Sequence, residues 1–205
     1  MKKLLGVLLL LGSLQVQAQS TEQQLQAKLD ANGALKAEFA QLVTDINGKK
    51  IQSGSGMLAL SQPNRFYWHL TQPDESLIVA DGKDVWIYNP FAEEVSVLGF
   101  SDAIAASPIT LLVQRDQATW SQYHITASGD CYTITPKQAD SGVQQVEVCF
   151  SGNQLTSLSL DDTQGNKSLF TLAKQQPLTA ADQGLFTFTP AQGVYVDDQR
   201  INHGQ

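Results

Sequence analysis

Hydrophobic positions follow two different periods along the chain. In "STEQQLQAKLDAN", Ser20 to Asn32, Leu25 and Leu29 recur four residues apart among polar neighbours. That spacing stacks both leucines on one helical face, and Ser20 or Thr21 can cap the first turn. A single narrow apolar stripe predicts a short helix lying on something else. From Leu35 the period falls to two: Lys36 and Glu38 alternate with Ala37 and Phe39, and a second strand follows Asn47-Gly48-Lys49. Asn-Gly between alternating runs predicts a hairpin.

The same alternation predicts strands at Arg65–Thr71, Ser76–Ala80, Val85–Tyr88 and Glu94–Leu98. It predicts others at Tyr123–Ala127, Cys131–Thr135, Val143–Phe150, Leu155–Leu160, Ser168–Lys174 and Phe186–Thr189. Between the two groups, "DAIAASPITLLVQRD" breaks the period. Pro108 suits a first helical turn and Leu111, Leu112 and Val113 form an apolar side, so one or two short helices are expected. Roughly eleven short antiparallel strands in series, with few helices, predict a mainly β (α+β) fold. The expected form is one large sheet curling toward an open, incomplete barrel, with the helices covering an opening.

The run "SQPNRFYWHLTQPDESL" poses the functional question. Phe66, Trp68 and Leu70 share one parity, and Arg65, Tyr67 and His69 the other. One face of this strand is heavily apolar. It is either closed core or the wall of a cavity, since small barrels fill with side chains and larger ones hold ligand.

The first residues bear on location. "MKKLLGVLLLLGSLQVQA" has two lysines, a short apolar run and small residues before Ala18, the pattern of a secretory signal peptide. The expectation is that residues 1–18 are removed and that 19–205 form a single exported domain. Losing Lys2 and Lys3 takes the formal charge from −7 to −9. So acidic a chain is a poor partner for nucleic acid or an anionic membrane surface. No other apolar stretch is long enough to predict stable membrane insertion.

Candidate chemistry is sparse. His69, His124 and His203 are far apart and none has ligand spacing, so no metal site or cofactor is expected. "SGSG" at Ser53–Gly56 lies between strands rather than at a strand–helix elbow, and reads as a bend in a curled sheet. The acidic pairs at Asp74–Glu75, Glu93–Glu94, Asp161–Asp162 and Asp197–Asp198 sit beside turns, where solvated charge is usual. No nucleophile–base arrangement points to an enzyme. Cys131 and Cys149 are the only cysteines. If Pro136 lies opposite Gln144 in a hairpin, Cys131 lies opposite Cys149, close enough for a disulfide worth about 3 kcal/mol. Two buried free thiols are the alternative.

The segments "QPNRFYWHLTQPDESLIVADGKDVWIYNPFAEEV" and "FTFTPAQGVYVDDQR" resemble the LolA family of lipoprotein carriers, through Pro-x-x-Phe-x-Trp, "PDES", "DGK", Trp-x-Tyr-Asn-Pro and "VDDQR". The resemblance runs from about Ser20 to Arg200. It implies a periplasmic, monomeric carrier of triacylated lipoproteins, loaded by the inner-membrane transporter LolCDE and unloaded to the outer-membrane receptor LolB. It also implies an acyl cavity lined by Phe66, Trp68 and Leu70, and further by Ile78, Ile87 and Phe91. The lid would carry Leu25, Leu29, Ile104, Ile109, Leu111 and Leu112. The family's latch arginine, directly before the proline, is Gln62 here, which lacks its charge and forked donors. A periplasmic enzyme or sensor acting on lipids or glycans is the competing expectation, and a filled structural module is a third.

Overall fold

A computed structural model describes residues 19–106, 108–138 and 142–200. Helix α1 (Thr21–Ala31) opens them. Ser20 caps it reciprocally with Gln23, the Ser20 hydroxyl accepting from Gln23 N–H and the Gln23 side chain accepting from Ser20 N–H. Six strands follow as an antiparallel meander: β1 (Ala34–Thr44), β2 (Lys50–Ser61), β3 (Arg65–Gln72), β4 (Ser76–Asp81), β5 (Asp84–Asn89) and β6 (Glu94–Gly99). Helix α2 (Phe100–Ala106), a 3-10 turn (Pro108–Leu112) and helix α3 (Gln117–Trp120) then lead to a second meander. It comprises β7 (Tyr123–Ser128), β8 (Cys131–Pro136), β9 (Val143–Ser151), β10 (Gln154–Asp162) and β11 (Lys167–Pro177).

β1 pairs with β11, fusing the meanders, with a last strand β12 (Tyr195–Asp198), into one sheet ordered β12-β6-β5-β4-β3-β2-β1-β11-β10-β9-β8-β7 among the described residues. Its two edges do not pair with each other, so the barrel stays open. Glycines allow the curl. Gly56 faces Phe39 and Leu70 across the strands, and a Cβ on it would lie 2.0 Å from His69 O and 2.6 Å from Phe39 Cζ. A register shift between Ser55 and Gly56 adds the bend expected of the Ser-Gly-Ser-Gly run.

Register fixes which side chains share a face. Leu60, Phe66, Ala80, Val85 and Leu98 form one inner row, and Leu58, Trp68, Ile78 and Ile87 form the next. Ala59, Tyr67, Val79, Trp86 and Val97 form an outer row. The main core lies inside the curl, where α1, the 3-10 turn with the residue after it, and α3 contribute Leu25, Leu29, Leu111, Leu112, Val113 and Trp120. Burial of each such side chain is worth roughly 1.5–3 kcal/mol. Ala59, Val79, Val95, Val97 and Phe186 are also buried but belong to a second cluster on the outer face.

The C-terminal segment covers that outer cluster. A 3-10 turn (Ala180–Phe186) sets the Phe186 ring 5.4 Å from the Arg65 guanidinium, and Phe188 lies 5.9 Å from Trp86 and 5.6 Å from Tyr88. The strand expected at Phe186–Thr189 does not form. Its backbone is extended at Thr187, but the strands beneath already have partners on both sides, so it crosses their face without a ladder to join. The final strand is instead β12 (Tyr195–Asp198), parallel to β6.

Cys131 lies opposite Cys149 and the two are disulfide-bonded, with Cα atoms 4.0 Å apart. Tyr132, Val148 and Phe150 point inward on the same strands, which puts the bridge outside. Glu147 approaches both sulfurs, but thiols committed to a disulfide are not metal ligands.

Candidate functional site: a lidded apolar interior

Strand β3 places Phe66, Trp68 and Leu70 on the inner face, as its alternation requires. The Trp68 ring is the centre of an aromatic cluster. Phe39 from β1 stacks on it at 4.4 Å between centroids, Phe170 from β11 meets it edge-on at 4.6 Å, and Phe66 lies at 5.8 Å. Both geometries suit the ring quadrupoles. Phe39 and Phe170 were not among the residues expected to line the interior. The alternation of Ala37 with Phe39 was visible, but Phe170 enters from a strand a hundred residues away.

Exposure rises steadily along the inner face. Phe66 is 2% exposed and Trp68 7%, while Leu70 is only partly buried. Ala80 is buried and Ile78 partly so; Val85 is buried and Ile87 is 39% exposed. The interior is therefore closed near the Gln62–Asn64 turn and thins toward the end that carries the Gln72–Glu75 turn. Ile87 belongs to the rim rather than to the enclosed wall. Phe91 does not line the interior: it sits in the β5–β6 turn, held by a bond from its N–H to Asn89 Oδ1, and is 97% exposed.

The helices fill the concave side. Leu25, Leu29, Leu111 and Leu112 are buried against the sheet and Ile109 packs partly buried beside them. The side chain of Ile104 lies outside the described residues. α2 and the 3-10 turn pack on each other, and α1 lies across β7 and β10. At the seam between α2 and β7, Asn64, Phe100, Gln114, Gln122 and Tyr123 surround a cleft of about 350 Å³. Burial raises the Tyr123 phenol above its ordinary value.

Polar contacts tie the lid down. Gln62 Nε2 donates to Leu29 O of α1 at 2.9 Å, and the Gln62 side chain packs directly on Gly33. Asn32, just after α1, donates to Asn153 O at 2.6 Å and accepts from Leu155 N–H. Arg115 Nε meets Asp30 Oδ1 of α1 at 2.6 Å, and Gln117 Nε2 donates to Glu22 Oε1 at 2.7 Å. Those two contacts join α1 to the segment that follows the 3-10 turn. Burial lowers the Arg115 pKa, which Asp30 opposes, and Arg115 Nη2 is buried without a partner. Arg65 points outward, donating to Gln183 Oε1 at 2.8 Å. On that outer face Tyr67 and Glu75 flank His69, and burial, with the Glu75 charge, raises the Tyr67 pKa.

One large, unclosed, curled sheet with an aromatic inner face, covered by a few short helices that hydrogen bonds tie down, defines the class of fold. Residues 31–189 match the family model "Outer membrane lipoprotein carrier protein LolA". Outer-membrane lipoprotein carrier proteins of Shewanella loihica and Shewanella woodyi are 62% and 58% identical to it, over 85% and 87% of this chain and 83% and 86% of theirs. A solved structure of an uncharacterized conserved protein from Thermus thermophilus shares the fold at a TM-score of 0.53 and 11% identity, covering 88% of this chain and all of that one. The chain belongs to the LolA family of outer membrane lipoprotein carrier proteins.

Proposed function

We propose that the chain works in the periplasm as a monomeric shuttle, after removal of residues 1–18, and that it holds the acyl chains of triacylated lipoproteins between the Phe39–Trp68–Phe170 cluster and the lid. LolCDE loads it at the inner membrane and LolB unloads it at the outer membrane. The observation that carries this reading is the inner apolar face, continuous from Phe66 to a rim at Ile87 and covered by helices that side-chain hydrogen bonds hold in place. Each buried methylene is worth about 0.8 kcal/mol, so one long acyl chain supplies on the order of 10 kcal/mol. One chain about matches the roughly 6–12 kcal/mol that burial of Leu25, Leu29, Leu111 and Leu112 is worth, and the three chains of a triacylated cargo exceed it, enough to displace those leucines from the interior they occupy. Gln62 is the latch residue in this reading, bonded to the α1 backbone where the family arginine would act.

The test uses inner-membrane vesicles holding the transporter and a newly made triacylated lipoprotein. Adding the mature chain should release lipoprotein into the soluble fraction, co-eluting one-to-one with the carrier. Lipoprotein that stays in the membrane, while a relative with the latch arginine releases it, would refute the proposal.

A further inference from the structure

Gln41 is the polar residue out of place. The β1–β2 register is continuous from Ala34 to Val43, so Gln41 shares the inner face with Leu35, Ala37 and Phe39. Its cross-strand neighbours are Gly54 on one side and Phe170 on the other. Gly54 leaves a slot there: a Cβ on it would lie 2.9 Å from Gln41 Oε1 and 3.1 Å from Leu70 Cδ1. Oε1 itself is buried and has no hydrogen-bond partner. A buried carbonyl without a donor destabilises the fold, so such a group calls for a physical reason.

Position supplies the reason. Gln41 lies two residues beyond Phe39, one inner row past the row of Phe39, Gly56 and Leu70, where the inner face begins to meet water. An apolar chain seated against Phe39, Trp68 and Phe170 would bring its linkage to a polar body to this level. Of the common linkages, an amide offers an N–H and an ester offers none.

Resting on the carrier reading above, we propose that Gln41 Oε1 is a binding subsite for the amide N–H of an N-acylated cargo, and that it sets the depth to which the chain enters. The free carrier keeps this acceptor unpaired; loading pairs it. The subsite selects amide-linked over ester-linked chains, which apolar contact alone cannot do.

Two probes of equal chain length separate these contributions: the methyl ester of N-hexadecanoylglycine, and its depsi analogue with oxygen in place of the N–H. The wild-type protein should bind the amide about tenfold more tightly than the ester, the size of one hydrogen bond in a buried site. Gln41→Met should bring the two within about twofold while keeping the ester affinity. Gln41→Glu, which keeps an acceptor, should retain a preference for the amide. Equal wild-type affinities, or a preference that survives Gln41→Met, would overturn the subsite and leave the carrier reading standing. If the wild-type protein binds neither probe, both readings fall together.

Discussion

Replacing Gln62 with methionine isolates the lid tether. Methionine keeps the length and the packing on Gly33, where a Cβ would lie 2.4 Å from Gln62 Cδ. It loses only the bond from Nε2 to Leu29 O. That carbonyl still accepts from Asn32 N–H at 3.1 Å, so the substitution leaves no orphaned acceptor and the cost falls at the ordinary value for a neutral hydrogen bond, about 1 kcal/mol. In population terms α1 should lift about five times more often. Native-state amide exchange reads this directly: α1 amides should exchange about fivefold faster while those of β1 and β11 hold their rates. If lifting α1 is what admits apolar ligand, an apolar fluorescent probe should gain apparent affinity by the same factor. Gln62→Arg should move both readouts the other way, because a charged fork offers stronger bonds. Unchanged α1 exchange in Gln62→Met would refute the latch. Faster exchange with unchanged probe affinity would show that α1 is not the gate, and so would unaltered probe binding and cargo release in Gln62→Arg.

Gly56→Ala should cost roughly 2 kcal/mol or more in urea unfolding, because its Cβ meets backbone at His69 O that cannot move away; a loss under 0.5 kcal/mol would contradict the packing described. Reducing the Cys131–Cys149 bridge, which spans 18 residues, should lower stability by about 3 kcal/mol in the loop-entropy account, read as a drop in urea midpoint with reductant. Lys36 and the Thr179 hydroxyl hold the Asp182 carboxyl at about 2, below the ordinary 3.8. The stabilisation is present above pH 4 and fades as pH falls through 2, so Asp182→Asn should flatten the acid side of a pH–stability curve. An identical curve would argue that Lys36–Asp182 does not anchor the C-terminal segment.

Local order was easiest to read from the chain. Alternation at Arg65–Thr71, the Asn47-Gly48 turn and the leucine pair in α1 all express periods that backbone geometry imposes within one element. The pairing of Cys131 with Cys149 followed from hairpin arithmetic for the same reason. What escaped depends on contacts between distant segments. Phe39 and Phe170 meet Trp68 only because β1 joins β11 across the middle of the sheet. β12 adds to β6 in parallel, a pairing no turn signal announces. Phe186 and Phe188 alternate like a strand, yet Phe188 lies against Trp86 and Tyr88 and Phe186 against Arg65, as a cover on the outer face. Phe91 is aromatic and close to the apolar strands in sequence, but a turn carries it into solvent. Arg115 and Gln41 gave no signal, since a charge or an amide acquires meaning only from what surrounds it.

The one-ended thinning of the inner face has a logistic consequence. In the shuttle proposed above, a container that opens at its rim takes the anchor inside and leaves the attached body outdoors, clear of the Gln62–Asn64 end where Gln62 holds α1. Nothing about the body's size, charge or shape then enters the terms of carriage. One vessel of fixed dimensions then serves freight of any bulk, and whatever choice it makes among cargoes is made at the anchor.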